Sequence, residues 1–185
     1  MEPGAGGDAN GGGVFSSGAL TVTASTFLDN HAVGGRGADF LVVYTGGNSH
    51  RIIPASGGGN GYGGGIYIAG GTASLSGSTF TGNVAAGGDK GSAYSPDEAV
   101  RGGNGFGGGL FAAGRVDLRT VTFTGNLARG GLGGLGEAPG DGIGGGIYIH
   151  DRARANLDDY TVGHVLDNTA STSSPNIAGS YRRLR

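Results

Sequence analysis

Two short stretches hold residue types that could do chemistry together. In RVDLR, residues 115–119, Arg115, Asp117 and Arg119 alternate, and in RANLD, residues 154–158, Arg154, Asn156 and Asp158 do the same. In a strand, residues two apart share a face. Carboxylates presented this way could bind Ca²⁺ or act as acid and base, while guanidinium groups could hold a uronate. Asp117, Arg119, Arg154 and Asp158 are therefore the candidate catalytic set. The blander reading is that Arg119 and Asp158 form a cross-strand surface pair of little energetic weight, with the other charges solvated. Opposite charges on a sheet face are an ordinary route to solubility, and the residues favour that reading.

What positions these residues is a repeat. GNGYGGGIYIAG at 59–70 returns as GNGFGGGLFAAG at 103–114 and GDGIGGGIYIHD at 140–151, with a fainter copy, GDANGGGVFSSG, at 7–18. Each glycine triplet leads into an apolar stretch, a short alternating run and an asparagine, giving units at 11–30, 63–83, 107–126 and 144–168. The connecting segments 31–62, 84–106 and 127–143 vary in length. Units of near-constant length joined by variable loops are the mark of a solenoid. Aligned, the alternating runs read ALTVT, TASLS, RVDLR and RANLD. Their period is two, not the helical 3.6. Leu20, Ala73, Val116 and Ala155 form one inward column, and Val22, Leu75, Leu118 and Leu157 the next. The fold expected is all-β, a parallel β-solenoid of about four coils, and within that class a right-handed β-helix. Residues 1–10 read as a glycine-rich lead-in and partial repeat. Residues 169–185 read as a closing strand or cap with a basic tail.

The stacked columns predict ladders. Asn30, Asn83, Asn126 and Asn168 align at a turn, where asparagine tolerates the left-handed conformation and its amide can bond to the coils above and below. Phe27, Phe80 and Phe123 align, with Val162 taking the position in the fourth copy. Phe15, Tyr67, Phe111 and Tyr148 form a second aromatic column. It is read as core or as covered by the loops; facing outward, it would be a stacking platform for sugars. Asp8, Asn60, Asn104 and Asp141 precede the triplets, and turn chemistry is preferred there to a Ca²⁺ site. The triplets themselves read as corners that admit no Cβ.

Composition excludes several classes. With 46 Gly and 5 Pro among 185 residues, the chain lies in the low-complexity range, and only the periodicity argues for a packed structure. The balance of 12 basic against 14 acidic residues argues against a nucleic-acid partner. There is no cysteine, hence no disulfide and no thiolate site. His31, His50, His150 and His164 fall in unrelated columns without metal-ligand spacing. The glycines precede strands, not helices, so they form no phosphate cradle. Thr21 and Thr23 make a single T-x-T, which Ser, Asp and Arg replace in later copies, so an ice-binding face fails. No apolar run is long enough for a membrane span.

GGGIY at 63–67 and 144–148, FTGN at 80–83 and 123–126, and FLDN at 27–30 resemble the GGAI and FxxN repeats of the polymorphic outer-membrane protein family. The segment 157–181 is similar to the carboxyl end of such arrays. The resemblance implies a bacterial, secreted or cell-surface solenoid with a structural or adhesive role, and it carries over no catalytic residue. Neither a secretory leader nor a barrel domain is visible in this sequence, and it opens partway through a loop, as a fragment of a longer array would. The expected partners are a host or cell-surface glycan or protein, with end-to-end self-association through open coils. The expected cofactor is none, Ca²⁺ being the only one the residues invite. The rival is a carbohydrate-active β-helix enzyme, a lyase or hydrolase, using the outward face of coils three and four. The longest loop, 31–62, contains DFLVVYTGG and SHRIIPASG, which could pair as a hairpin and offer the best recognition element.

Overall fold

The computed structural model describes residues 4–46, 49–94, 100–134 and 137–184. The chain winds into a parallel β-solenoid whose short strands stack into five sheets. The sheet carrying the candidate charged residues runs Ala19–Thr23, Thr72–Ser76, Arg115–Arg119, Arg154–Asp158 and Tyr181–Leu184. Its register pairs Ala73 with Leu20 and Val116, and Leu75 with Val22 and Leu118, so the inward columns are those of the alternation. Thr169–Ala170 completes coil four, and the closing segment then begins a fifth coil, in which Ile177–Ala178 and Tyr181–Leu184 each extend a sheet by one strand.

The core is a narrow column of Ile66, Leu110, Ile147, Leu75, Leu118, Leu157, Phe80 and Phe123, all fully buried. The phenylalanines stack face to face, Phe27 on Phe80 at 4.6 Å and Phe80 on Phe123 at 4.5 Å. The fourth member of this column is Val165, which pairs with Phe123, and not Val162. The reason is a one-turn helix, Asp159–Gly163, inserted after the long strand of coil four. It absorbs the extra length of that copy and carries Val162 against the core from the side.

Each glycine of a triplet has its own task. The first lies in the left-handed region, with φ of 61° at Gly63 and 66° at Gly107. A Cβ on the second, Gly64, would overlap the Gly108 carbonyl oxygen one coil away. A Cβ on the third would press on the stacked rings, 2.9 Å from Phe80 at Gly65 and 2.7 Å from Phe123 at Gly109. Left-handed backbone also explains FLDN and FTGN, because Asp29, Gly82, Gly125 and Asp167 all have positive φ.

The glycine-rich connections are themselves packed. Segments leaving the coils near 34–40, 87–92 and 130–134 stack on one another, as do those returning near 4–8, 56–60 and 101–104. Backbone bonds join the two layers: Gly35 to Gly7, Gly59 to Gly35, Gly88 to Gly59, Gly103 to Gly88, Gly131 to Gly103, and Gly140 to Gly131, all at 2.7–2.9 Å. Along a segment these bonds recur every third residue, as in Gly88 N–H to Gly59 and Gly91 N–H to Ser56. Three residues per turn is the repeat of polyproline II. Such segments lack internal hydrogen bonds, so they satisfy their backbone groups only by bonding sideways to neighbours. Glycine permits this because a side chain would hold the backbones apart; a Cβ on Gly34, Gly88 or Gly131 would overlap a neighbouring carbonyl oxygen. On this sheaf stands an antiparallel hairpin, Leu41–Gly46 with Ser49–Ile53, formed by the two apolar runs of the longest loop.

Candidate functional site

The charged stretches become adjacent strands. Arg115 pairs in register with Arg154, and Asp117 with Asn156. Both strands face outward at these positions because Val116, Leu118, Ala155 and Leu157 fill the core between them. Asp117 accepts from Asn156 Nδ2 at 2.5 Å, and its other oxygen meets Arg115 Nη2 at 3.5 Å. Arg119 is exposed, pairs in register with Ser76, and ends its strand.

Asp158 is turned to another task. Its Oδ1 accepts from Thr161 N–H at 2.8 Å, capping the short helix, and its Oδ2 accepts from Thr120 N–H at 2.9 Å. Partial burial pushes its carboxyl up, but the bonds from Thr161 and Thr120 and the charge of Arg119 outweigh that and hold it below the ordinary value. A carboxylate that stays ionised and keeps both oxygens on backbone donors is suited to fixing a turn and poorly suited to moving protons. Of the four candidate residues, Asp117 and Arg154 share a surface. Asp158 is committed to the next turn.

Residues from the tail complete the arrangement. Ser180, Tyr181 and Arg182 join Arg115, Arg154, Asn156, Ala153 and Ala155 around a depression of about 480 Å³. Arg182 pairs in register with Asn156. The spacing of the tail held the signal, since Ile177–Ala178 aligns under Ile147–Tyr148 and sets the following strand at 181–184.

The aromatic column points away from the inner column of the coils, yet its central ring, Phe111, is buried. Tyr67 alternates with Ile66 and Ile68, which are fully buried inside. A second column stands across the glycine corner, Tyr62 pairing with Phe106. The rings cover one another: Tyr148 stacks on Phe111 at 5.1 Å, Tyr62 on Phe106 at 5.7 Å, and Tyr67 meets Phe111 edge-on at 4.9 Å. Phe111, at the centre, is only 4% exposed, whereas Phe15 at the end is 53% exposed. Burial pushes the phenols of Tyr62, Tyr67 and Tyr148 up, reinforced by Asp8 near the first two and Asp151 near the third.

The Asx column is a ladder. Asn60 N–H donates to Asp8 Oδ1 at 2.7 Å, Asn104 N–H to Asn60 Oδ1 at 2.8 Å, and Asp141 N–H to Asn104 Oδ1 at 2.7 Å. These oxygens are thereby engaged in stacking. Among the described residues, no three His, Cys, Asp or Glu side chains converge on a point suited to a metal ion. No helix among them is long and apolar enough to cross a membrane.

Comparison with known proteins returns no matching family model, no matching curated protein and no matching solved structure. The class of the protein is therefore defined by its architecture, a parallel β-solenoid built on repeated coils. Its motif resemblance to the polymorphic outer-membrane proteins has no support from a family match.

Proposed function

We propose that this chain is a structural and adhesive segment of a bacterial extracellular or cell-surface protein, binding a glycan or protein partner through its inter-coil projections. The observation that carries the proposal is the hairpin of the longest loop. Tyr44 at its tip is 79% exposed, and Leu41 and Val43 lie exposed on the same strand. Ile53 at its base is buried, and Phe40 beside it packs edge-on against Tyr94 at 5.4 Å. A recognition element gains from a rigid base, because less ordering entropy is lost on binding. The glycine sheaf supplies such a base. The repeat resemblance supports the cellular setting.

The enzymatic alternative is weakened by the engagement of Asp158 at the helix cap and of Asp117 with Asn156 and Arg115. The test is capture of labelled protein on cell-surface glycan and extracellular-matrix arrays, beside the variant Tyr44→Ala with Val43→Ser. Wild-type binding that falls at least tenfold in the variant, with an unchanged melting temperature, supports the proposal. Binding indifferent to these changes, or release of oligosaccharide products, overturns it.

A further inference from the structure

We infer that the depression at the far end of the long-strand sheet is a binding site for an acidic oligosaccharide, one bearing carboxylate or sulfate groups. Arg115 and Arg154 are direct register partners on adjacent parallel strands, and Arg182 comes from the next strand out. All three line the same depression. Like charges directly opposite one another in a sheet repel. Here they persist with a single carboxylate, Asp117, in contact, held 3.5 Å from Arg115 while its other oxygen serves Asn156. Among the described residues, the guanidinium groups of Arg154 and Arg182 have no hydrogen-bonded or ion-paired acceptor. The depression is thus cationic overall, and a bound oxyanion would relieve the repulsion.

The location is specific to this end of the solenoid. The equivalent columns in the first two coils hold Ala19, Thr21, Thr72 and Ser74, which carry no charge. Guanidinium groups bind carboxylate and sulfate-like oxyanions through paired N–H donors, with more directional specificity than a lysine would give. Strands in one sheet stand ~4.8 Å apart, which separates Arg115 from Arg154, while Arg182 lies on the next strand in register with Asn156. The three guanidinium groups are thus spread over the sheet and suit a chain bearing several anionic groups better than a single ion. Asn156 and Ser180 offer an amide and a hydroxyl for sugar hydroxyls, and Ala153 an apolar contact. This inference is independent of the hairpin.

The experiment is titration of the full chain with three probes: an oligogalacturonate, a heparin hexasaccharide and neutral cellohexaose. The acidic probes should bind, with affinity that falls as salt rises, and cellohexaose should not. Tighter binding of the oligogalacturonate identifies carboxylate as the group read, and tighter binding of heparin, which carries both groups, shows that sulfate adds to it. Arg154→Gln and Arg182→Gln should each weaken binding by about tenfold, while Arg129→Gln, on a different sheet, and the hairpin variant leave it unchanged. Unaltered melting temperatures exclude misfolding. Binding by Arg154→Gln or Arg182→Gln as tight as wild type, binding of cellohexaose as tight as of the acidic probes, or no binding of either acidic probe overturns the inference. Failure of the hairpin proposal alone would leave these results intact.

Discussion

Asn83 and Asn126 lie one coil apart, and Nδ2 of the first donates to Oδ1 of the second at 2.8 Å with both residues wholly buried. The same bond joins Asn30 to Asn83 and Asn126 to Asn168, and the ladder runs on to Asn176 in the fifth coil. Each buried rung also satisfies a main-chain carbonyl, Phe27 from Asn83 and Phe80 from Asn126. Replacing Asn126 with Ala strips the acceptor from the backbone N–H of Asn83. An unsatisfied buried donor costs about 1–3 kcal/mol, so Asn126→Ala should lose roughly 2 kcal/mol or more in denaturant unfolding. Asn30, half-buried at the first coil, only donates to its neighbour, and Asn30→Ala should cost under about 1 kcal/mol. Equal losses at the two positions would mean that the ladder is not what holds the turn.

The glycine sheaf makes a contrasting pair. A Cβ on Gly103 would overlap the Gly59 carbonyl oxygen, which itself accepts from Gly88 N–H. A Cβ on Gly7 would meet nothing within 4 Å, and Gly7 has no left-handed φ. Overpacking of this kind costs about 1–3 kcal/mol, so Gly103→Ala should unfold at clearly lower temperature. Gly7→Ala should be neutral or slightly stabilising, because it restricts the unfolded chain. Amide exchange should show the damage of Gly103→Ala in the connections first. A uniform loss of protection would show that coils and connections unfold as one.

These two cases mark what the sequence could and could not reveal. Alternation in TASLS and RVDLR determined the inward columns because one face of each strand is core, where a shift of one residue would bury the polar set. The asparagine column was legible for the same reason, as stacked identical residues share one environment. The sheaf was not, because its period is three and its signal is the absence of side chains, as in GGRG at 34–37 and GGDKG at 87–91. Val162 was matched to the phenylalanine column because the one-turn helix before Val165 is too short to leave a periodic stripe. The arginine depression was half legible: Arg115 and Arg154 stood out, but Arg182 lay in a tail whose strand was expected without a register. The aromatic column resisted because alternation cannot separate a buried inner ring from outer rings that bury one another.

Asp158 offers a test of cap against catalyst. Loss of an N-cap typically costs about 1 kcal/mol, and Asp158→Ala should lose about that much stability at pH 7. The folded carboxyl sits below its ordinary value, so its contribution is complete above the unfolded value near ~3.9 and disappears as pH falls through the lower folded one. The stability gap between wild type and Asp158→Ala should therefore stay constant from pH 7 to about 5 and close only in strong acid. A gap that closes near neutrality would point to a proton-exchanging carboxyl, and a cap would no longer describe it.

The outward aromatic cluster titrates in the opposite direction. Burial, and behind it Asp8 or Asp151, pushes the phenols of Tyr62, Tyr67 and Tyr148 above their ordinary value. A group whose folded value is raised contributes stability below its unfolded value, near ~10 for tyrosine, and loses it as pH climbs through the folded value. The melting temperature should therefore fall as pH rises above about 10. Tyr148→Phe keeps the ring that stacks on Phe111 and removes the ionising group, so its melting curve should fall less steeply over that range. Because Tyr62 and Tyr67 titrate in both proteins, the flattening reports the Tyr148 phenol alone. If Tyr148→Phe melts in parallel with wild type across the alkaline limb, its phenol is as well hydrated in the folded chain as in the unfolded one, and the rings do not shield it.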